Sequence, residues 1–262
     1  MLVDYVAMDL ETTGLNPRLD KIIEIGAVKV REGIVTDTFC TYINPARGIP
    51  ERVTKLTGIR DEDVAGAPYI EEVLPQFMDF LGNDYLLGHN IIFDYSFMKK
   101  AAVNQKFGFE REGIDTLRIA RRFLTELESR NLEFLCRHYQ IPLEEAHRAY
   151  HDAHAAHLLY QRLSEEFYEK EAATFQPKKL LYGVKKEVPV TPKQKAYILG
   201  LAKEYHIVIE DGQVLLPQVL TEKLGDKLDM EHMTKNEASR LIDCILSRKK
   251  ELIARLPLDC EE

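Results

Sequence analysis

The sequence predicts an α/β domain followed by a smaller, mostly helical module. In the first two thirds of the chain, apolar runs of strand length alternate with segments whose apolar residues recur every three or four positions. This is the pattern of alternating strands and helices. A break rich in Lys and Pro then precedes two strongly capped helices. With 262 residues and 45% hydrophobic content, the chain can form two domains with a substantial core.

The first domain is expected to span residues 1–176. Strands at 3–9, 22–31 and 34–43 are joined by short connections, which suit antiparallel neighbours. The remaining elements follow in order: helices at 50–56 and 69–82, a strand at 85–88, a helix at 91–106, a strand at 112–114, and helices at 116–126, 130–139 and 149–171. The domain therefore has five predicted strands with helices between them.

Residues 177–190 are predicted to be a basic linker, and residues 191–262 a small, mostly helical module of unknown role. Four lysines lie in the linker: Lys178, Lys179, Lys185 and Lys186. They could contact a phosphate backbone, although a solvated linker is the simpler interpretation. In the module, Thr191-Pro192 and the capping box from Thr234 to Glu237 each start a helix. Short apolar runs around Asp211-Gly212 predict a hairpin between these helices.

The most informative motif lies at the end of the first strand. Asp9 and Glu11 are two residues apart, so both carboxylates point to the same face of a strand. Such a pair can be stabilised by divalent cations, which take oxygen ligands. Two solvated acids at a strand end would give the same pattern, so the interpretation depends on acids elsewhere in the chain.

Two further acids have distinctive surroundings. Asp94 lies in the first turns of a helix that Asn90 is expected to cap. Asp152 is flanked by alanines, which would let its helix approach another backbone closely. A carboxylate buried at such a contact needs a cation or loses its charge. His147 precedes Asp152 by five positions, in the loop or first turn before the helix.

Together these segments resemble the DnaQ-like 3′–5′ exonucleases of the DEDDh type, a family that includes the proofreading exonucleases of bacterial replicative polymerases. The resemblance covers residues 1–172 and rests on three motifs: Asp9-x-Glu11-Thr12-Thr13-Gly14-Leu15, His89-Asn90-x-x-Phe93-Asp94 and His147-x4-Asp152. Weaker agreement comes from Leu56-Thr57-Gly58-Ile59 and Ile114-Asp115-Thr116-Leu117. A related branch has Tyr four residues before the last Asp, where this chain has Arg148, so the His branch fits.

The resemblance implies a ribonuclease H-like fold with a five-stranded mixed sheet flanked by helices. It also implies that two divalent metal ions, Mg²⁺ or Mn²⁺, are held by four acids: Asp9, Glu11, Asp94 and Asp152. His147 would be the catalytic general base. The implied substrate contacts are Thr12, Thr13, Leu15, Asn90 and Phe93. For Leu15 and Phe93, ordinary core packing is the alternative.

The predicted function is metal-dependent 3′–5′ hydrolysis of DNA that releases nucleoside monophosphates, in proofreading or repair. The expected partners are a nucleic-acid 3′ end, with single-stranded DNA favoured over RNA, and a DNA polymerase. Two alternatives stay open: an exoribonuclease of the same fold and a non-catalytic nucleic-acid-binding adaptor. The complete set of four acids and a histidine disfavours the adaptor.

Composition and the absence of targeting signals bear on charge steering, cellular location and the state of the cysteines. The net charge is −8, and all of the acidic excess lies in the first domain, so long-range steering towards nucleic acid is weak. The chain has no apolar run of membrane-spanning length and no signal-peptide pattern, so we expect no membrane association and a cytoplasmic location. The scattered cysteines predict free thiols at four positions: Cys40, Cys136, Cys244 and Cys260.

Three histidines recur at a spacing of three on the last predicted helix of the first domain: His151, His154 and His157. A zinc site usually needs a closed set of Cys, His or acidic partners, and this segment shows no such motif. We therefore expect these histidines to form a polar helix surface.

Overall fold

The computed structural model describes residues 1–143 and 146–255, with the backbone alone at 222 and 223. The chain forms two compact units. Residues 1–44 and 56–185 make the first unit, and residues 45–55 with the chain from residue 186 onward make the second. Within the described ranges, no helix is both long and apolar enough to cross a membrane. Three of the cysteines are free thiols as predicted, Cys40, Cys136 and Cys244, and Cys260 lies outside the described residues.

The first unit is built on a mixed six-stranded sheet with helices on both faces. Its strands are β1 (Tyr5–Thr12), β2 (Ile22–Arg31), β3 (Ile34–Tyr42), β4 (Leu86–Gly88), β5 (Glu112–Asp115) and β6 (Lys178–Lys179). Across the sheet they follow the order β3-β2-β1-β4-β5-β6. Because β1 pairs antiparallel with β2 and parallel with β4, it lies in the middle of the sheet.

The helices along this part of the chain are α1 (Glu51–Thr57), α2 (Asp61–Ala65), α3 (Ile70–Leu81), α4 (Ile92–Asn104), α5 (Thr116–Phe123), α6 (Leu132–His138) and α7 (Ala149–Phe167). A 3₁₀ turn follows at Ala172–Phe175. The predicted strands and helices of this region are all present, with their ends shifted by a few residues. The short helix α2 was not predicted, because five residues are too few to show a helical period.

The sixth strand replaces the start of the predicted linker. Lys178 and Lys179 pair antiparallel with Gly113 and Glu112 of β5. The next residue, Leu180, is buried in the core, and a Cβ built on Gly113 would lie 3.0 Å from a Leu180 methyl. The absence of a side chain at Gly113 thus makes room for Leu180, and the linker prediction was wrong for these three residues.

Strand β1 is buried on both faces, which explains its continuous apolar sequence. Val6 and Met8 belong to the core cluster that contains residues of α3 and α4. Tyr5 and Ala7 belong to the opposite cluster, with residues of α5, α6 and α7. Since side chains alternate along a strand, Asp9 and the acid two residues beyond it continue the face covered by α7.

The buried face of α7 also contains a histidine that was predicted to be on the surface. His157 is 3% exposed, and its Nδ1 lies 2.8 Å from the hydroxyl of Tyr5 in β1. Burial lowers the pKa of His157 to about 4. The polar-surface prediction was therefore wrong for His157, because a tyrosine on the neighbouring strand supplies a buried partner that helical spacing does not reveal.

The second unit combines helices with a small sheet. Its elements are α8 (Pro192–Glu204), β7 (Val208–Glu210), β8 (Gln213–Leu215), α9 (Gln218–Leu224), β9 (Lys227–Asp229), α10 (Lys235–Ser247) and α11 (Lys249–Ile253). The three strands form an antiparallel sheet in the order β7-β8-β9. Capping boxes at Thr191 and Thr234 start α8 and α10, and the hairpin around Gly212 is present, as the sequence predicts. Helix α9 and strand β9 were not predicted.

A segment from the first part of the chain completes this unit. The buried guanidinium of Arg47 lies 3.7 Å from the carboxylate of Glu237 and donates to the carbonyl of Leu224. The amide of Gly48 donates to the carbonyl of Lys227 at 2.9 Å. The local sequence gives no sign of these long-range partners, and from it residues 45–55 are predicted to belong to the first domain.

The close packing of α7 on β2 depends on one glycine. A Cβ at Gly26 would lie 2.1 Å from both the carbonyl carbon of Ala149 and the backbone nitrogen of Tyr150. These are backbone atoms of the first turn of α7, so they cannot move aside as a side-chain end could. Gly26 therefore allows the start of α7 to lie directly on the sheet. A close approach of this helix is predicted from the alanines around Asp152, but the contact at Gly26 lies a few residues earlier, at Ala149 and Tyr150.

We predict that Gly26→Ala lowers the free energy of unfolding by roughly 1–3 kcal/mol, because the new methyl group forces the first turn of α7 away from β2. Urea unfolding of the purified protein measures this change. Gly66→Ala is the matched control, since Gly66 has a negative φ and no described atom lies within 4 Å of the place its new methyl group would take. Equal stability of the two variants would contradict the packing account.

Candidate active site

The face of β1 and β2 that α7 covers carries three acids and the glycine on which α7 packs. In the antiparallel register, Asp9 lies opposite Gly26 and Glu11 lies opposite Glu24. Paired residues of antiparallel strands share a face, so these three carboxylates point towards the start of α7. Glu11 and Glu24 are buried, and Asp9 is partly buried.

Helix α7 brings a fourth acid and a histidine to this face. Asp152 is in the first turn of α7, and its Oδ2 accepts a hydrogen bond from the backbone N–H of His147 at 3.1 Å. One ligand atom each from Glu11, His147 and Asp152 lies within 4.8 Å of the others. His147 precedes the helix, as predicted, and its φ of 62° places it in the left-handed region.

Asp94 reaches the same place from the other side of β1. Strand β4 pairs with β1 only at Val6 and Ala7, so the backbone of β1 beyond these residues has a free edge towards α4. The N–H of Leu10 uses this edge to donate to Oδ1 of Asp94 at 3.0 Å. Leu10 lies between Asp9 and Glu11, so this bond anchors Asp94 beside both of them.

Burial, together with the neighbouring negative charges, raises the pKa of each of these carboxylates. Burial, followed by the charges of Asp94, Asp152 and Glu11, raises the pKa of Asp9 well above its ordinary value. Burial also raises the pKa of Asp94, against a hydrogen bond from Leu10 that lowers it. For Glu11, burial and then the charge of Asp152 raise the pKa to about 8. For Asp152, burial raises it to about 6, while His147 opposes the shift.

This arrangement fits a divalent cation. The donors are carboxylate oxygens with one imidazole nitrogen close by, and hard cations such as Mg²⁺ and Mn²⁺ take oxygen ligands. Burial and mutual repulsion both disfavour the charged forms of these four carboxylates, and a cation among them would offset that penalty. The residues that the sequence proposed as ligands thus come together in space.

The turn before α4 is held by a different residue from the one predicted. Asn90 does not cap α4, since Ile91 occupies the N-cap position and Asn90 has a φ of 71°. The backbone N–H of Asn90 donates to Oδ1 of Asp115, which also accepts from the N–H of Leu117 to cap α5. Asn90 itself is exposed beside Phe93 and Asp94 in the chain.

The other predicted substrate contacts fall into two groups. Thr12 and Thr13 are buried and shape the turn after β1: the hydroxyl of Thr12 donates to the carbonyl of Gly14, and the hydroxyl of Thr13 accepts from the N–H of Lys21. Leu15 is 84% exposed, so the alternative of core packing is wrong for this residue. Phe93 is partly buried, with its ring 5.1 Å from that of Phe97.

The comparisons with known proteins agree with this geometry. A family model described as Exonuclease, RNase T, matches residues 6–160, which is more than half of the chain. The chain belongs to this exonuclease family. The match includes β1, α4 and the start of α7, and it confirms the resemblance to the DnaQ-like exonucleases.

The curated relatives are long polymerases. The chain is 43% identical over 152 residues to the PolC-type DNA polymerase III of Clostridium perfringens, covering 58% of this chain and 10% of the relative. It is 40% identical over 166 residues to the PolC-type DNA polymerase III of Caldanaerobacter subterraneus, covering 63% and 12%. The chain therefore matches about a tenth of the length of these relatives.

Solved exonuclease structures show the same fold. Exonuclease X in complex with 5′ overhanging duplex DNA is 23% identical, with a TM-score of 0.53, and the match covers 62% of this chain and 92% of that one. The nuclease domain of 3′hExo, a DEDDh family member bound to rAMP, is 18% identical, with a TM-score of 0.56 and coverage of 68% and 97%. E. coli Exonuclease I with a dA16 oligonucleotide is 16% identical, with a TM-score of 0.57 and coverage of 64% and 42%. These matches confirm the ribonuclease H-like fold.

Two charged residues at this site were not predicted from the sequence. Glu24 is 1% exposed and faces the start of α7. Arg148 forms an ion pair with it at 2.9 Å, and the Arg148 guanidinium carbon lies 5.4 Å from the centre of the Tyr42 ring. A buried acid inside the apolar run of β2 was the available signal, since such a residue needs a partner.

We predict that the metal-free protein loses stability as the pH rises. Glu11 keeps its proton to about pH 8 when folded but loses it near pH 4 when unfolded. Between these values the folded state binds more protons, so the free energy of unfolding falls with increasing pH. In EDTA at about pH 8, Glu11→Gln should be more stable than the wild type by about 1 kcal/mol or more, and this difference should vanish towards about pH 4.

Urea unfolding across this pH range tests the prediction. Glu128→Gln makes the same chemical change at an exposed position and should show no such pH-dependent gain. A Glu11→Gln variant that is less stable than the wild type at high pH without metal would show that Glu11 is not under electrostatic strain.

Proposed function

We propose that this chain is a metal-dependent 3′–5′ exonuclease that hydrolyses DNA from its 3′ end and releases nucleoside monophosphates. One observation carries the proposal: carboxylates from β1, α4 and α7 converge, and His147 lies close to Glu11 and Asp152. A structural role does not need buried acids that repel one another. The exonuclease relatives and neighbours support the same activity.

The four acids are the proposed metal ligands: Asp9, Glu11, Asp94 and Asp152. When bound, two divalent cations would stabilise the negative charge that develops on the attacked phosphate and on the leaving oxygen. Leu10 and His147 orient two of the carboxylates through their backbone N–H groups, so the ligand positions are fixed before substrate arrives.

His147 is the proposed general base. An imidazole exchanges its proton near neutral pH and can take one from a water molecule that attacks phosphorus. The ring lies within reach of Glu11 and Asp152. Because its backbone N–H is bonded to Asp152, the residue is held at the edge of the carboxylate cluster rather than within a mobile loop.

The terminal nucleotide would lie against the turn after β1 and the start of α4. Leu15 offers an exposed apolar side chain, and Phe93 offers a ring beside Asp94. Apolar and aromatic contacts suit any base, because every base has a flat face. The backbone around Thr12 and Thr13, together with the exposed Asn90, would contact the sugar and phosphate.

DNA is the proposed substrate and a DNA polymerase the proposed partner. Both curated relatives described above are DNA polymerases, and two of the structural neighbours hold DNA. A role in proofreading or repair in the cytoplasm fits these relatives. The neighbour bound to rAMP favours a second candidate function, 3′–5′ degradation of RNA by the same residues.

We predict that the protein shortens single-stranded DNA from the 3′ end in Mg²⁺ or Mn²⁺. A 3′ label should be released at once as a mononucleotide, whereas a 5′ label should remain in a ladder of shortened products. EDTA or Asp9→Ala should abolish both signals, and Asp37→Ala, at an exposed acid of β3, should not. Hydrolysis in EDTA would exclude the metal role. Faster hydrolysis of matched RNA would identify the second candidate as the function.

We predict that His147→Ala lowers kcat by about a hundredfold or more, because the attacking water loses its base. Mn²⁺ affinity, measured by electron paramagnetic resonance, should stay near the wild-type value, since the carboxylates remain. His138→Ala, at an exposed position in α6, is the matched control. A large loss of Mn²⁺ affinity in His147→Ala would make His147 a ligand instead of a base.

A further inference from the structure

We infer that Glu24 is a positioning residue that holds the general base His147 in place through the start of α7, an inference that rests on the proposed function. Glu24 is a fifth acid on the catalytic face, directly opposite Glu11. A buried carboxylate at this position would ordinarily be taken for another metal ligand. Its hydrogen bonds indicate a different role.

Both carboxylate oxygens of Glu24 are engaged by the chain next to His147. Oε1 accepts from a terminal nitrogen of Arg148 at 2.9 Å, and Nε of Arg148 lies 3.3 Å from each oxygen. Oε2 also accepts from the backbone N–H of Ala149 at 3.0 Å. A carboxylate with these donors on both oxygens is oriented towards α7 rather than towards a metal.

The bond to Ala149 makes Glu24 an N-terminal cap supplied by the sheet. Ala149 is the first residue of α7, and the N–H groups of a first helical turn lack partners within the helix. A carboxylate placed there satisfies one of them and complements the positive end of the helix dipole. Glu24 therefore fixes the position at which α7 begins on β2.

His147 depends on this anchor because of its backbone conformation. A left-handed φ is unfavourable for a residue other than glycine and persists only where the surroundings impose it. Asp152 holds the N–H of His147, and Glu24 holds the two residues that follow. Release of Glu24 frees the turn, and the imidazole loses its fixed position next to Glu11 and Asp152.

A double-mutant cycle tests whether Glu24 acts through His147. Glu24→Gln keeps the shape but removes the charge-assisted bonds to Arg148, and it should lower kcat by about 10–100-fold. In a His147→Ala background the same change should cost less than about threefold, because the base is already lost. The KM for DNA and the Mg²⁺ concentration for half-activation should each stay within about twofold of the wild-type values.

Two further variants make the test specific to the contact between Glu24 and Arg148. Arg148→Lys retains the charge but not the planar fork, so it should give a smaller, equally non-additive loss even if Glu24→Gln folds poorly. Asp84→Asn breaks the ion pair with Arg31 at the opposite end of β2 and should leave kcat unchanged. Equal losses with and without His147, or a shifted Mg²⁺ requirement, would overturn the inference.

Hydrogen exchange gives a readout that does not need activity. In Glu24→Gln, a peptide covering residues 146–152 should lose amide protection relative to the wild type, and in Asp84→Asn it should not. Unchanged protection in Glu24→Gln would overturn the positioning role. If the wild type shows no metal-dependent hydrolysis, the proposed function fails, while the exchange result still decides whether Glu24 holds this turn.

Discussion

Four carboxylates repel one another at the end of β1, and the rest of the first unit is arranged to hold them there. Each acid is attached to a rigid element, and the ends of these elements are joined by short polar contacts. Leu10 holds Asp94, the backbone of His147 holds Asp152, and Gly26 lets α7 lie directly on the sheet. The packing of the core thus holds the acids together against their mutual repulsion. A divalent cation bound among them would relieve this repulsion, and the relief would contribute to the affinity for the cation.

Much of this arrangement could be predicted from local sequence. The two-residue spacing of Asp9 and Glu11 fixed their common face, and the alanines around Asp152 indicated a close helix contact. The sequence could not reveal partners that are distant in the chain. Glu24 meets Arg148 across 124 positions, so an acid within the apolar run of β2 could indicate that a partner exists but not which residue it is. The buried pairing of His157 was missed for the same reason.

The extent of the second unit was also only partly predictable from local sequence. Its helix starts were predictable because capping boxes are local signals. The contribution of residues 45–55 to this unit was not predictable, since the partners of Arg47 and Gly48 lie far away in the sequence, at Leu224 and Lys227. A protein truncated after residue 176 would therefore keep residues 45–55 but lose their partners Leu224 and Lys227. The chain passes from one unit to the other three times, so neither unit is a continuous piece of sequence.

The most direct test is a crystal structure of the protein with Mn²⁺, with the metal located by its anomalous signal. We expect Mn²⁺ among the carboxylates of Asp9, Glu11, Asp94 and Asp152, with Glu24 still bonded to Arg148. Anomalous peaks elsewhere, or Glu24 among the ligands in place of one of these acids, would contradict this expectation.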